Sequence, residues 1–309
     1  MRRIRSMQLD VFTDTIFSGN QLAVFFDAGN LTSEEMQAIA REMNYSESIF
    51  VLAAASPQAV ARVRIFTPAV ELPFAGHPII GVTFALAEAG VIGPDNDSPI
   101  TLETGVGPLA IDLLFSEGRP QFAWMSQPIP AFQPWTSERA ALAAALGLSL
   151  DDLRADLPIE RGSAGVPFVY IPITNRTALN LAQPGPAVDA AFRDTEPHIG
   201  VYLFAAPEAG DAAPFSARMF AGGMGVVEDA ATGSAAGPFG VYLLLHGLIA
   251  EEDGVATATI MQGEKMGRPS RLKVAITREG DVVTRVRVGG AAVVTAEGEF
   301  RLPGAPLSL

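Results

Sequence analysis

The sequence predicts an α+β fold of two pseudo-symmetric domains. Each is a mostly antiparallel sheet or barrel wrapped around a central apolar helix. Three observations predict it. The chain has 309 residues, which at about 150 residues per domain suggests two. Two segments read as helices that are apolar on every side, from about Pro78 to Ala89 and from Ser234 to His246. Such helices must be wrapped by other elements. Finally, one order recurs on both sides of a proline-rich stretch: strands, a glycine-containing loop, one buried helix, more strands. The regular strand–helix alternation of a doubly wound sheet is absent. The domains are expected at 1–128 and 129–295, with a strand near 296–309 returning to the first.

Thr32 and Glu35 have capping-box spacing and start a helix that runs to about Met43, with Asn44 as its C-terminal cap. Ser48 to Leu52 reads as a strand. Val60 to Phe66 alternates Val63 and Ile65 against Arg62 and Arg64, as a half-buried strand does. Thr67 to Gly76 holds Pro68, Pro73 and Gly76 and reads as a loop; the first apolar helix follows and stops at Gly90. Strands are expected near Ile100–Glu103, Leu109–Leu114 and Gln121–Met125. Gln127 to Pro134 holds three prolines and reads as a linker. Ser137 is the expected N-cap of an alanine-rich helix ended by Gly147. Strands resume at Phe168–Ile173, Val201–Phe204 and Phe215–Met219. A glycine-rich loop, Gly222 to Gly233, then leads into the second apolar helix.

Composition excludes several functions. With 21 basic and 34 acidic residues the net charge is −13, which opposes nucleic-acid binding. The chain has no cysteine, so disulfides, zinc–thiolate sites, iron–sulfur clusters and thiol catalysis are impossible. His77, His198 and His246 lie far apart and form no close ligand pair, so no metal site is expected. Arg2, Arg3 and Arg5 are followed by Asp10 and Asp14 rather than an apolar run. No signal peptide is read, and a cytoplasmic protein is expected. Gly233 to Ala250 carries no charge over 18 residues, near the minimum for a membrane span. Its glycines, Pro238 and His246 fit a buried helix better, and no membrane association is expected.

Three elements could carry chemistry. Glu71-Leu72-Pro73-Phe74-Ala75-Gly76-His77-Pro78 enters the first apolar helix. Gly76 permits close approach to the backbone, and free N–H groups at a helix start attract anions. His77 sits at that mouth as a site residue or as a structural cap. Glu228-Asp229-Ala230-Ala231-Thr232-Gly233-Ser234 enters the second helix; here Asp229 or Thr232 could simply cap it, or Gly233 and Ser234 could form a second anion-binding start. Third is Asn44-Tyr45-Ser46-Glu47-Ser48-Ile49-Phe50-Val51. On strand periodicity Glu47 shares a face with Ile49 and Val51. A carboxylate there titrates high and can exchange a proton near neutral pH, unless it lies in water or pairs with an arginine. Gln262-Gly263 and Gly267-Arg268-Pro269-Ser270 read as a turn whose Arg268 could reach an anion or stand in solvent. Gly222-Gly223-Met224-Gly225 lacks the context of a phosphate or dinucleotide loop.

These elements, in this order, resemble the PhzF-like phenazine-biosynthesis family within the diaminopimelate-epimerase-like fold. The matches are Val11-Phe12-Thr13 with Gly19-Asn20, Asn44-Tyr45-Ser46-Glu47, and Arg64-x-Phe66-Thr67-Pro68 running into Phe74-Ala75-Gly76-His77-Pro78. Later come Glu228-Asp229 with Ala231-Thr232-Gly233-Ser234-Ala235, and Gln262-Gly263 with Gly267-Arg268-Pro269-Ser270. The resemblance spans about residue 7 to beyond 290. It implies an active site between the two domains, with the catalytic glutamate at Glu47, the histidine at His77, the aspartate at Asp229 and the helix-start pair at Gly233 and Ser234. The sequence departs from the family pattern at Ala230 and at Gly222 or Gly223, where proline is common; both changes loosen the loop carrying Asp229.

The expectation is a cofactor-independent isomerase. Glu47 moves a proton, and with it a double bond, on a small cyclic or unsaturated carboxylate. His77 and Asp229 complete the catalytic set, and Ser46, Gly76, Thr232, Gly233 and Ser234 bind the substrate. The family implies a homodimer. A non-thiol epimerase and a non-catalytic carboxylate-binding protein are the alternatives.

Overall fold

The computed structural model describes residues 1–96, 99–136, 138–192, 199–207 and 213–304. Ser137, His198 and the end of the expected 296–309 strand lie outside these residues. The chain divides into two compact units, Met1–Ser126 with Gly289–Leu309, and Gln127–Val288.

In the first unit, strand Arg2–Val11 pairs antiparallel with both Asn20–Phe25 and Ala292–Leu302. Asn20–Phe25 runs parallel to Glu47–Leu52, and helix Ser33–Met43 makes the crossover. Glu47–Leu52 pairs antiparallel with Ala61–Phe66, which runs parallel to Ile100–Thr104. Helix Gly76–Glu88 lies between those two strands in sequence. Ile100–Thr104, Gly107–Ser116 and Arg119–Gln127 then form an antiparallel meander.

The Ser33–Met43 helix starts where its chemistry predicts. Thr32 accepts from the Glu35 N–H at 3.2 Å, and Glu35 accepts from the Thr32 N–H at 3.1 Å. Asn44 closes it in the left-handed region at φ 52°. Its Met36, Ile39 and Ala40 pack against Ala23, Phe25, Phe50 and Phe66, with Phe25 stacked on Phe50 at 5.0 Å between ring centres. Alternation puts the other residues of these strands on the opposite face. Leu22 pairs with Glu47 and Val24 with Ile49, so these four share one side of the sheet. That side faces the Gly76–Glu88 helix, because Gly81 of the helix sits directly on Leu22 and Val11. Every residue from Gly76 to Leu86 is buried.

In the second unit, Ala131–Pro134 pairs antiparallel with Glu160–Ser163, which pairs with Pro167–Ile173. The last strand runs parallel to Gly200–Ala205. Phe215–Ala221 follows antiparallel, and then Val226–Asp229. Phe215–Ala221 also runs parallel to Val255–Gln262, which pairs antiparallel with Ser270–Glu279. Between those two parallel strands in sequence comes helix Gly233–Leu245, buried on almost every side although Pro238 lies inside it. Its Phe239 is ringed by Tyr202 at 5.3 Å, Phe204 at 4.6 Å and Phe215 at 5.9 Å.

Three readings of the sequence are corrected. The Gln127–Pro134 linker contains a strand, Ala131–Pro134. Pro128 and Pro130 precede it and Pro134 ends it, so no interior ladder N–H is lost. The Gly222–Gly233 loop contains strand Val226–Asp229, whose acidic Glu228 is neutralised by Arg218 in a two-point ion pair at 2.8 Å. Thr67–Gly76 contains the short strand Glu71–Leu72. The uncharged 233–250 stretch resolves into a helix of 13 residues. Among the described residues no helix is long and apolar enough to cross a membrane.

Packing at Gly81 gives a test of the first core. A Cβ there would lie 2.4 Å from Leu22 Cδ2 and 2.7 Å from Val11 Cγ2. Gly81→Val should lower stability by about 1–3 kcal/mol or more, read by urea unfolding. Equal or greater stability would show that helix and sheet are not in this contact.

Candidate active site

Two groups of polar residues gather at the starts of the two buried helices, one in each unit. In the first unit the sheet alternation delivers Glu47, the first residue of its strand, to the helix-facing side. His77, the second residue of the helix, meets it there: His77 Nδ1 lies 3.4 Å from Glu47 Oε2. His77 is 3% exposed and the Glu47 side chain 16%. Asn20 joins them from the first residue of its own strand, its Nδ2 lying 3.3 Å from His77 Nδ1. Ser46 Oγ donates to Asn20 Oδ1 at 3.2 Å. Gly76 is buried beside them at the helix start, and the N-cap residue Ala75 offers no side-chain cap.

The electrostatics of Glu47 follow from this enclosure. Its Oε2 is buried and receives no hydrogen bond. Burial pushes its pKa up to about 7, against a weaker downward pull from the Ser46 side chain. His77 Nδ1 faces both the Asn20 amide and the Glu47 carboxyl. Both forms of Glu47 are thus accessible at neutral pH, which a group that takes and returns a proton requires.

In the second unit Asp229 ends its strand four residues before the helix and is 7% exposed. The capping reading of Thr232 does not hold. Thr232 occupies the N-cap position without a side-chain cap bond. Its Oγ1 instead donates to Asp229 Oδ2 at 2.7 Å. Gln262, wholly buried at the end of its strand, holds both residues. Gly233 opens the helix and is buried, with Ser234 half-buried beside it. Arg268 lies half-buried on the turn after Gln262.

The site residues read from sequence thus fall into two sets: Ser46, Glu47, Gly76 and His77, and Asp229, Thr232, Gly233 and Ser234. Two further residues belong with them. Asn20 is a buried amide at a strand start, visible in sequence only as part of Gly19-Asn20. Gln262 read as a turn residue.

The family profile described as phenazine biosynthesis-like protein matches residues 9–298. The chain is 39% identical over 301 residues to trans-2,3-dihydro-3-hydroxyanthranilate isomerase of Pseudomonas aeruginosa, covering 96% of this chain and 99% of that one. The crystal structure of the Bacillus anthracis phenazine biosynthesis protein of the PhzF family matches with a TM-score of 0.86 at 29% identity, over 98% of this chain and 100% of that one. A probable proline racemase of Agrobacterium radiobacter matches with a TM-score of 0.66 at 14% identity, over 99% of this chain and 94% of that one, and so shares the fold alone.

The chain belongs to the PhzF-like phenazine-biosynthesis family. It is an isomerase of that family, the activity that curated relatives carry in their names. The departures from the PhzF pattern have local settings. At Gly222 a Cβ would lie 2.4 Å from Asp189 Oδ2, so the carboxylate fills the space a larger residue would need. Ala230 is buried, 5% exposed.

The raised pKa of Glu47 makes a stability prediction that needs no substrate. A carboxyl that titrates near 4.5 when unfolded and about 7 when folded favours the native state in its protonated form. That advantage is present below 4.5 and is lost as pH rises to 7, a change of about 3 kcal/mol. Glu47→Gln resembles the protonated form at every pH. Wild type and Glu47→Gln should match in stability near pH 4.5, and the variant should be the more stable by up to about 3 kcal/mol at pH 8. Parallel stability curves across that range would refute the raised pKa.

Proposed function

We propose that this chain is a cofactor-independent isomerase that moves a proton and a double bond on a small carboxylate-bearing cyclic or unsaturated substrate. Glu47 takes the proton from one carbon and returns it to another, so no redox partner or co-reactant is needed. The observation that carries the reading is one half-buried carboxyl, its Oε2 enclosed and its pKa pushed up to about 7, set beside His77 at an uncapped helix start. A group poised near ambient pH serves as base in one half of the reaction and as acid in the other.

His77 and Asp229 orient the substrate's polar groups and relay protons on them. Ser46 and Ser234 contribute hydroxyls, and the backbone at Gly76 and Gly233 receives the carboxylate. Both helix starts lack a side-chain cap from the N-cap residue, and the N–H groups of a helix start attract an anion. We further propose that the units are pseudo-symmetric, as the diaminopimelate-epimerase-like fold implies. In support, each unit places its buried helix between two parallel-paired strands. Each also has an earlier helical crossover between another parallel pair.

Trans-2,3-dihydro-3-hydroxyanthranilate, named in the relative's activity, is the first substrate to try. Related cyclohexadiene carboxylates follow. Glu47→Gln should keep the fold and lower turnover by at least about 10²–10⁴-fold. Removal of His77 should weaken activity rather than erase it. Wild-type turnover in deuterated water should place deuterium on carbon unless the site retains the proton. Near-normal turnover by Glu47→Gln on a verified substrate would remove Glu47 from the mechanism.

A further inference from the structure

We propose that Gln262 is a positioning residue that fixes Asp229 as a hydrogen-bond acceptor, acting through the hydroxyl of Thr232. The inference rests on the reading of Asp229 as a substrate-facing group and assigns a role to a residue outside the site read from sequence.

The backbone determines the direction of every bond in this group. Gln262 Oε1 lies 3.3 Å from the Thr232 N–H. A backbone N–H can only donate, so the atom there is the amide oxygen. Gln262 Nε2 lies 2.9 Å from the Asp229 carbonyl, which can only accept, so that atom is the nitrogen. The two ends agree and the amide has one orientation. Its second N–H points to Thr232 Oγ1 at 2.9 Å. With that lone pair occupied, the Thr232 hydroxyl sends its own hydrogen to Asp229 Oδ2 at 2.7 Å. A donor held in this direction favours the ionised carboxylate.

The geometry around Gln262 is built for this contact. Gln262 is 0% exposed and Thr232 6%. Gly263 follows with φ 76°, and a Cβ there would strike the carbonyls of Arg268 at 2.3 Å and Ala230 at 2.6 Å. The turn therefore lies directly on the Asp229 loop, and only glycine permits it. Neighbouring charged and titratable groups in the unit are the Tyr202 phenol, Glu228 paired with Arg218, and Arg268 on the same turn. Tyr202 is driven above its ordinary value by burial and by Asp229, so it stays neutral through the acid range.

The test is the titration of Asp229 itself, followed by carbon NMR in the full chain labelled at aspartate carboxyls. The Asp229→Asn variant identifies the resonance. Thr232→Val keeps shape and removes the hydroxyl; Thr232→Ser restores it; Gln262→Met removes the amide. The proton affinity of Asp229 should rise about 10-fold or more in Thr232→Val and in Gln262→Met, a shift of about one pH unit. Thr232→Ser should titrate as wild type. An unmoved midpoint in Thr232→Val would overturn the proposal, as would a shifted one in Thr232→Ser. So would an unmoved midpoint in folded Gln262→Met; if that variant does not fold, the Thr232 pair decides alone. Kinetics of Asp229→Asn on the verified substrate separate the two readings. Normal turnover there would refute the catalytic role of Asp229, whereas the NMR midpoints judge the relay.

Discussion

A helix buried on every side must satisfy its first N–H groups without bulk water, and most of this structure's chemistry follows from that constraint. Two surface-facing helices in the chain solve the problem with side chains. Thr32 caps the helix Ser33–Met43, and Asn175 accepts from the Ala178 N–H at 2.9 Å. The two central helices have no such cap. Their starts are left to whatever polar groups the wrapping sheets supply, or to a ligand. The sheets place polar side chains nearby: Asn20, Ser46 and Glu47 beside His77 of one helix, Asp229 and Gln262 beside the N-cap residue Thr232 of the other. Strand starts and ends lie at the level of the helix start, so the apolar walls give way to polar residues there.

The two carboxylates are treated in opposite ways. Glu47 Oε2 is enclosed without a donor, beside a ring nitrogen already engaged by Asn20. Burial outweighs the contact with Ser46 and favours the neutral acid. Asp229 Oδ2 receives a hydroxyl whose direction is set by two backbone groups. The two acids thus sit in different environments, one enclosed beside a ring nitrogen and one held by a hydroxyl.

What sequence revealed, and what it hid, divides by the range of the interaction. The capping box at Thr32 and Glu35 spans three residues and was legible. So was the alternation of Arg62 and Arg64 against Val63 and Ile65, where Arg64 pairs with Glu71 at 2.7 Å. The face of Glu47 followed from period two alone. Asn20 and Gln262 escaped local reading because their contacts are remote: Asn20 meets His77 57 positions away, and Gln262 meets Thr232 30 positions away. Strand Val226–Asp229 escaped because Glu228 makes it look like solvent-facing loop until Arg218 arrives from the adjacent strand. The capping reading of Thr232 failed for the same reason, since Gln262 competes for its hydroxyl from another strand.

The remote clamp also bears on Ala230. Where the family often has proline, alanine leaves the unfolded chain freer and should cost about 0.4–1 kcal/mol of loop order. Gln262 bonds the Asp229 carbonyl on one side of Ala230-Ala231 and the Thr232 N–H on the other. It therefore fixes the chain at both ends of the two-residue step where proline would have fixed it in the middle. Buried hydrogen bonds contribute about 0.5–1.5 kcal/mol each, so these two hold the loop whether or not a proline ring stands at 230. Ala230 and Ala231 are themselves buried, at 5% and 0% exposure, and Gly263 packs against the Ala230 carbonyl. Rigidity at Asp229 thus comes from a neighbouring strand rather than from the loop's own backbone. The loop sequence can then vary at Ala230 without releasing the carboxylate, provided Gln262 and Gly263 stay in place.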